Sequence, residues 1–511
     1  MMRRFVTILV MGLTIPVFSG TPLLASNEIM LHKIVGLKVT SGKDNNSLEG
    51  TWPFRSLVLR DFEEPDRMEV LEKGVVTFDC CGLGGLGSWS ATVDEFGSDC
   101  IEETAQSGGT YSVSDDGSLT LTITDPEPHG QVRGYISAND NIAIMRIGEY
   151  SAADDHIWQE LIVAVKGSAK TFSNADLNGT YHFRSFELHH DNGKVCWGTM
   201  TFDGQEGVVD GGATCFRSNG TLEDMEGNGF PILTYTVDSD GSVEIPLPII
   251  APDAKFTGHL SEDGQVLTLS LAYYDAGSQY VYQFLITAVK EDHTKMFTTA
   301  DMVGTYHFAG LYFGNFETEG RESDVNWGTI TFHEGGTFIV DYSSYSGEGN
   351  EGSGQHEGVY TVNPDGSFAV TETTSDSGGS WTGHLTSNGE MIVMARGISP
   401  NSIMGRVTDE AGKSVEGITV SLYQDDDDPN NGGNDARDLV AQVSTVDQGY
   451  YQFNDLDAPR TYRVHINEGQ SGECGEFSEA DLYNVEVIDG AATHNQNFEL
   501  DNEFPDYFPL T

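Results

Sequence analysis

The residues with the strongest claim to chemistry are a glycine cluster, a few histidines, six cysteines and one acidic loop. Gly82-Leu-Gly84-Gly-Leu-Gly87 has the spacing of a dinucleotide-binding turn. That turn works between a parallel strand and a helix whose N-terminus receives the pyrophosphate, with an acid about 20 residues on. Here it lies beside Cys80 and Cys81 in a chain of strand-like alternation, so it reads as a loop. His333-Glu334 and His356-Glu357 lack the second histidine of a helical zinc motif, and no Gly-x-Ser-x-Gly elbow occurs. His182 and His307 recur at matched positions, as do His259 and His384. Such histidines could pair on a metal or simply descend from duplication, and Pro53 and Tyr135 at the same places near the front favour descent. With 79 acidic residues some carboxylate pair will always stand at a glycosidase separation, so such pairs carry no signal. The expectation is a protein without catalytic residues or an organic cofactor, not an enzyme.

The cysteines are Cys80, Cys81, Cys100, Cys196, Cys215 and Cys474, with no Cys-x-x-Cys spacing, which points to disulfides rather than zinc. Cys196 and Cys215 flank a hairpin-like segment and are expected to bond to each other. Cys100 is expected to take Cys80 or Cys81, with Cys81 carried forward as its partner and the other left free or joined to Cys474. The acidic loop offers Asp425, Asp426, Asp427, Asp428, Asn430 and Asp435, hard oxygen ligands of the kind calcium takes. It misses the EF-hand pattern, because Asn431 stands at the glycine position and Arg437 where a bidentate glutamate belongs. Two alternatives stay open, a calcium site or a solvated hairpin loop.

The chain around these residues has 511 positions and a formal charge of −53, from 26 basic and 79 acidic side chains. Such a polyanion repels phosphate backbones and anionic lipid, which excludes nucleic acid and membrane surfaces as partners. Hydrophobic residues at 38% and aromatics at 10% suffice for several cores, so the charge does not mean disorder. Residues 1–25 open with Arg3 and Arg4, continue with an apolar run from Phe5 to Phe18, and close on small residues, the layout of a secretory signal peptide. The run is shorter than the ~20 residues a membrane span needs. The protein is expected to be exported, to the medium, the cell surface or the periplasm, without membrane insertion. Residues 501–511 read as an acidic tail.

Three copies of one unit supply the elements. Leu48-Glu-Gly-Thr-Trp-Pro-Phe54 recurs as Leu177-Asn-Gly-Thr-Tyr-His-Phe183 and Met302-Val-Gly-Thr-Tyr-His-Phe308, with Gly50, Gly179 and Gly304 spaced by 129 and 125. The turns ending at Gly117, Gly241 and Gly366 keep that period, as do Gly134, Gly258 and Gly383. Leu161-Ile-Val-Ala-Val-Lys166 and Phe284-Leu-Ile-Thr-Ala-Val-Lys290 have a counterpart at the front, Ile34-Val-Gly-Leu-Lys38, and nothing comparable follows Met391-Ile-Val-Met-Ala-Arg396. This sets the unit to begin with the lysine strand, giving bounds of 28–150, 155–276 and 279–398. Asp-Gly and Asn-Gly turns between β-rich runs predict about eight strands per unit, joined by hairpins, with turn-sized helices at 173–178 and 298–303. Such a meander buries its apolar face best by closing into a barrel. The expected fold class is all-β: three tandem antiparallel meander barrels followed, over 402–500, by a small β-sandwich.

Two resemblances refine this. A helical turn followed by Gly50-Thr51-Trp52 opening a meander resembles the start of lipocalin- or avidin-like (calycin) barrels, with Tyr181 and Tyr306 in place of the tryptophan. That resemblance implies a basic residue packed on the ring, a part open to Lys38, Lys166 and Lys290, although their strand comes first here rather than last. The run from Ile403 to Leu422, followed by Gly449-Tyr-Tyr-Gln-Phe453, resembles carboxypeptidase-regulatory-like and SdrD/Cna B-type (prealbumin-like) modules. In those families the module is a non-catalytic spacer or stalk of secreted and surface proteins, at times calcium-binding. The expected function is a structural or adhesive one at the cell surface, toward a surface protein or glycan. The alternative is multivalent binding of small ligands or carbohydrate in the barrel mouths, with Trp52, Trp197, Trp327 and Trp381 as stacking surfaces. Barrels filled by large side chains favour the first, and a polar-tipped cavity favours the second.

Overall fold

The computed structural model describes residues 30–398 apart from 61–67, 81–85, 98–101, 126–130, 152–155, 190–191, 206–209, 218–221, 225–232, 249–253, 276–279, 315–321, 348 and 373–379. Beyond 398 it describes 403–409, 415, 418–424, 439–444, 450–453, 460–466, 471–472, 475–476, 480–487 and 498–500. The signal-like residues 1–25, the acidic loop, the acidic tail, Cys81, Cys100 and Cys474 lie outside the described residues.

The first barrel spans residues 50–165 and closes on itself with eight strands, β2 to β9. It opens with β2 (Gly50–Arg60), β3 (Met68–Asp79) and β4 (Gly87–Gly97) and ends with β8 (Ile142–Ser151) and β9 (His156–Val165), which pairs antiparallel with β2. The second unit, residues 178–290, is a nine-stranded antiparallel sheet, β10 to β18. Its first strand, β10 (Asn178–His189), pairs with its second, β11 (Asn192–Asp203), and its last, β18 (Tyr280–Lys290). The third unit runs from β19 (Gly304–Gly314) through β20 (Glu322–His333) to β24 (Ser380–Leu385) and β25 (Met391–Ile398). It lacks a closing strand of its own, and β1 (Met30–Lys38) fills the gap between β19 and β25 to complete a second closed barrel.

This corrects the unit bounds. The lysine strand ends a unit: β9 and β18 close the units that precede them, and β1 closes the third barrel rather than opening the first. The reason is hairpin connectivity, since β8 and β9 are sequence neighbours and pair antiparallel, as consecutive strands usually do. The lysines then stand at the end of the strand that pairs with each unit's opening strand, close to that strand's aromatic ring. Lys166 Nζ lies 5.4 Å from the Trp52 ring centre, Lys290 5.7 Å from Tyr181 and Lys38 5.7 Å from Tyr306. Short helical turns precede the opening strands at Asn45–Leu48, Asn174–Asp176 and Thr299–Met302, the latter two with Asp176 and Asp301 accepting from the N-cap backbone.

The barrel exteriors also carry an apolar face. On β2 the residues Trp52 and Phe54 belong to the barrel core, whereas Leu57 and Leu59 belong to a shared cluster between units. That hub draws Leu161 and Val163 from the first barrel, Phe186 and Leu285 from the second unit, and Leu31, Val35 and Phe313 from the third barrel. Strands such as β9 are covered on both faces, which is why Leu161-Ile-Val-Ala-Val165 reads as an unbroken apolar run. The junctions repeat. Arg55 Nε donates to Thr257 O at 3.2 Å and Arg184 Nε to Thr382 O at 3.4 Å, linking the first unit to the second and the second to the third. Gln159 Nε2 donates to Ser323 O and Tyr345 O at 3.0 and 2.6 Å, joining the first unit to the third. The units therefore form a closed ring.

The C-terminal segment places a three-stranded sheet, with β26 (Ile403–Asp409) between β29 (Tyr450–Phe453) and β34 (Phe498–Leu500), and a four-stranded sheet in the order β28 (Leu439–Ser444), β27 (Thr419–Gln424), β30 (Arg460–Ile466), β33 (Ala480–Val487), around one core. That core takes Ile403 and Val407 from β26, Val420 and Leu422 from β27 and Tyr462, Val464 and Ile466 from β30. Cys196 and Cys215 stand directly opposite each other on neighbouring strands and form a disulfide. Cys80 is also disulfide-bonded, to a partner outside the described residues.

Candidate binding site

The sequence motifs do not converge on a site. The recurring histidines face one another across junctions: His182 stacks on His384 with ring centres 3.6 Å apart, and His307 stacks on Tyr135 at 4.1 Å. His259, at the remaining junction, has its pKa pushed down to about 4, by burial first and Arg55 second. These are packing residues, and among the described residues no group of three or more His, Cys, Asp or Glu is arranged to hold a metal. Of the four tryptophans expected as stacking surfaces, Trp52 is core and Trp197 and Trp327 lie at the hub, leaving Trp381 beside a cavity.

The informative positions lie on the inward faces. Glycines Gly74, Gly198 and Gly328 stand opposite Phe54, Phe183 and Phe308, and two residues before each come Glu72, Cys196 and Asn326. Their cross-strand partners are Glu95, Cys215 and Ser344. Six residues before the closing lysines stand Glu160, Phe284 and His32, and two before the matched glycines stand Val132, Phe256 and Trp381. One scaffold thus carries three interiors: acidic, disulfide-linked and apolar, and basic-aromatic.

In the first barrel Glu72 and Glu160 share the inside with Ser56, whose Oγ lies 3.4 Å from Glu72 Oε2, beside a cavity of about 110 Å³. Burial, then the neighbouring charges of Glu160 and Glu95, drives Glu72 well above the carboxylate range. Burial likewise pushes Glu160 up to about 7. The pair therefore keeps its protons under mildly acidic conditions. The second unit is filled around its disulfide by Phe183, Leu233, Tyr235 and Ile286.

The third barrel holds a cavity of about 250 Å³ whose wall includes the seam between β1 and β25. His32 and Arg396 are register partners across that seam. Arg396 is 8% exposed, its guanidinium carbon is 5.5 Å from the Trp381 ring centre, and its Nη1 is 3.8 Å from Glu372 Oε2. His32 packs edge-on against Trp381 at 4.5 Å and Tyr312 at 5.9 Å. Burial, with Arg396 as a second cause, holds its pKa well below the usual value, so the ring is neutral and its Nε2 lies 3.4 Å from the Asn326 amide nitrogen. Arg396 Nε and Nη2 and Asn326 Oδ1 have no hydrogen-bond partner among the described residues. A buried guanidinium with open donors is costly unless something else supplies acceptors. Sequence reasoning missed His32 and Arg396. The available signal was alternation in Met391–Arg396, which puts a lone arginine on the inward face shared by Ile392 and Met394.

No protein-family model matches the chain, and no curated protein matches it. Among solved structures it is similar to a protein of unknown function from the DUF3598 family of Nostoc punctiforme, at 10% identity over 48% of this chain and 97% of that one, with a TM-score of 0.19. It is also similar to transferrin binding protein B of Haemophilus parasuis, at 6% identity over 74% and 77%, with a TM-score of 0.17. A third likeness, to the pilus adhesin SpaC of Lactobacillus rhamnosus GG, has 10% identity over 94% and 57%, with a TM-score of 0.12. Scores this low carry no argument about fold or function, which rest on the geometry above.

Proposed function

We propose that the chain is an exported, non-enzymatic binding protein whose third barrel holds one small ligand. The observation that carries this reading is the cavity of about 250 Å³ inside a closed barrel, lined by Arg396, His32, Asn326 and Trp381 with hydrogen-bonding atoms left open. Ligand pockets combine apolar and aromatic walls with a few fixed polar groups in this way. The second unit reads as another barrel of the same kind, with an apolar core around its disulfide, which supports its use as a spacer. The C-terminal sheets read as a prealbumin-like sandwich presenting the body to a surface protein or glycan, with calcium at the acidic loop as a further proposal. Export is supported by the signal-like residues 1–25 and by the Cys196–Cys215 disulfide. The multivalent version of the binding reading is narrowed, because the three interiors differ.

Native mass spectrometry of the protein purified from its own source, before and after chelation, tests this. One organic adduct per chain, lost on unfolding, is the expected result. Bare protein from several growth conditions would return the barrels to a purely structural role.

A further inference from the structure

We propose that the third barrel takes a small monocarboxylate with a flat, aromatic body, gripped through the Nε and Nη2 edge of Arg396. This rests on the reading of that barrel as a ligand site and names its ligand class.

Three observations carry it. First, the guanidinium uses its donors unevenly. Nη1 faces Glu372 at 3.8 Å, an ion-pair contact too long for a hydrogen bond, while Nε and Nη2 are buried without partners. Those two N–H groups are parallel and lie on one edge of the plane, the fork that matches both oxygens of a carboxylate. Second, the walls are flat and aromatic. Trp381 is 6% exposed and, with Tyr342 and Phe338, lines the same cavity, so a planar body is preferred to a branched one. Third, the remaining open atom is an acceptor, Asn326 Oδ1, which calls for a hydroxyl or amide donor on the ligand. Asp324 and Glu372 also line the cavity, and their negative charge disfavours a dianionic phosphate against a singly charged carboxylate.

The site lies on the seam of the ring. His32 comes from the first described strand and Arg396 from the last strand of the third unit, and they oppose each other in register. A ligand held there fastens the two ends of the three-unit body together.

The test is calorimetric titration of the full chain with 4-hydroxybenzoate, 4-hydroxybenzamide and 4-hydroxyphenyl phosphate, for the native protein, Arg396→Lys and Arg396→Gln, each checked for an unchanged disulfide and melting profile. The expected result is one carboxylate per chain, with the amide and phosphate at least tenfold weaker. Arg396→Lys, which keeps the charge but loses the fork, should weaken the carboxylate tenfold or more and leave the amide unchanged. Equal affinity for carboxylate and amide, or full carboxylate affinity in Arg396→Lys, overturns the carboxylate assignment and leaves the binding reading standing. If no probe binds, the adduct in native mass spectrometry decides: a carboxylic acid supports the assignment, a neutral or phosphorylated molecule overturns it, and no adduct removes both.

Discussion

Glu72 and Glu160 show how much one interior position can be asked to do. Glu160 has its pKa pushed up to about 7 by burial, and Glu72 is raised further by Glu160 and Glu95 as well as burial. A carboxyl whose folded pKa exceeds its unfolded value stabilises fully below the unfolded pKa, and that stability is lost as pH rises through the folded pKa. The window therefore runs from about pH 4.5 to about 7 for Glu160, with Ser56, Glu72 and Glu95 as the facing groups. Thermal melts at pH 5 and pH 8 should show a larger loss for the native protein than for Glu160→Gln, whose melting point should exceed the native one at pH 8. Equal pH slopes would mean the pair is ionised at both values. The closing lysines act at the same scale. Lys166 Nζ donates to Ser47 O at 3.0 Å and covers Trp52, so Lys166→Ala should cost about 1–2 kcal/mol in denaturant unfolding. At Gly304, with φ of +134°, a Cβ would meet Lys38 Cε at 2.8 Å, which explains the glycine that precedes each ring.

The element with the largest consequence is β1. It supplies both hydrogen-bonded neighbours that the third barrel lacks, together with His32 for the cavity and Lys38 for Tyr306. Lys33 on its outward face is fully buried and donates to Leu285 O of the second unit at 3.0 Å, so the strand is tied to two units at once. A chain that begins after Lys38 should expose the edges of β19 and β25, become protease-sensitive within 304–398 and lose the ligand. A synthetic peptide of residues 30–38 should restore protection. A truncated chain that melts and resists protease like the full one would show that the strand merely decorates the barrel.

For the whole molecule, the shared hub makes the three units one cooperative body. Isolated, the first barrel would expose Leu57, Leu59, Leu161, Val163 and Val165 as a continuous apolar face, and residues 50–166 alone should self-associate in gel filtration. Scanning calorimetry of residues 26–398 should show one transition rather than three. Gln159→Ala removes two hydrogen bonds across the junction between the first and third units, so it should destabilise the body at that single transition by about 1–3 kcal/mol. Three independent transitions would contradict the ring.

Much of this was legible in the sequence because it depends on local pattern. Alternation, Asp-Gly turns and the 124–129-residue period establish antiparallel strands and three copies, since turn chemistry and side-chain period act over a few residues. The opposed pair Cys196 and Cys215 was also readable as a hairpin bond. Which strand closes which barrel was not, because Ile34–Lys38 matches the lysine strands of both other copies and could be counted as a beginning or an end. Only closure decides, since an unpaired barrel edge is satisfied by whichever strand reaches it in space, here one whose Lys38 opposes Tyr306, 268 residues later in the chain. The site followed the same rule. His32 and Arg396 stand at opposite ends of the three-unit body in sequence, and neither has a motif around it. Tertiary structure alone sets them side by side, because the pairing of β1 with β25 places their inward faces in one barrel.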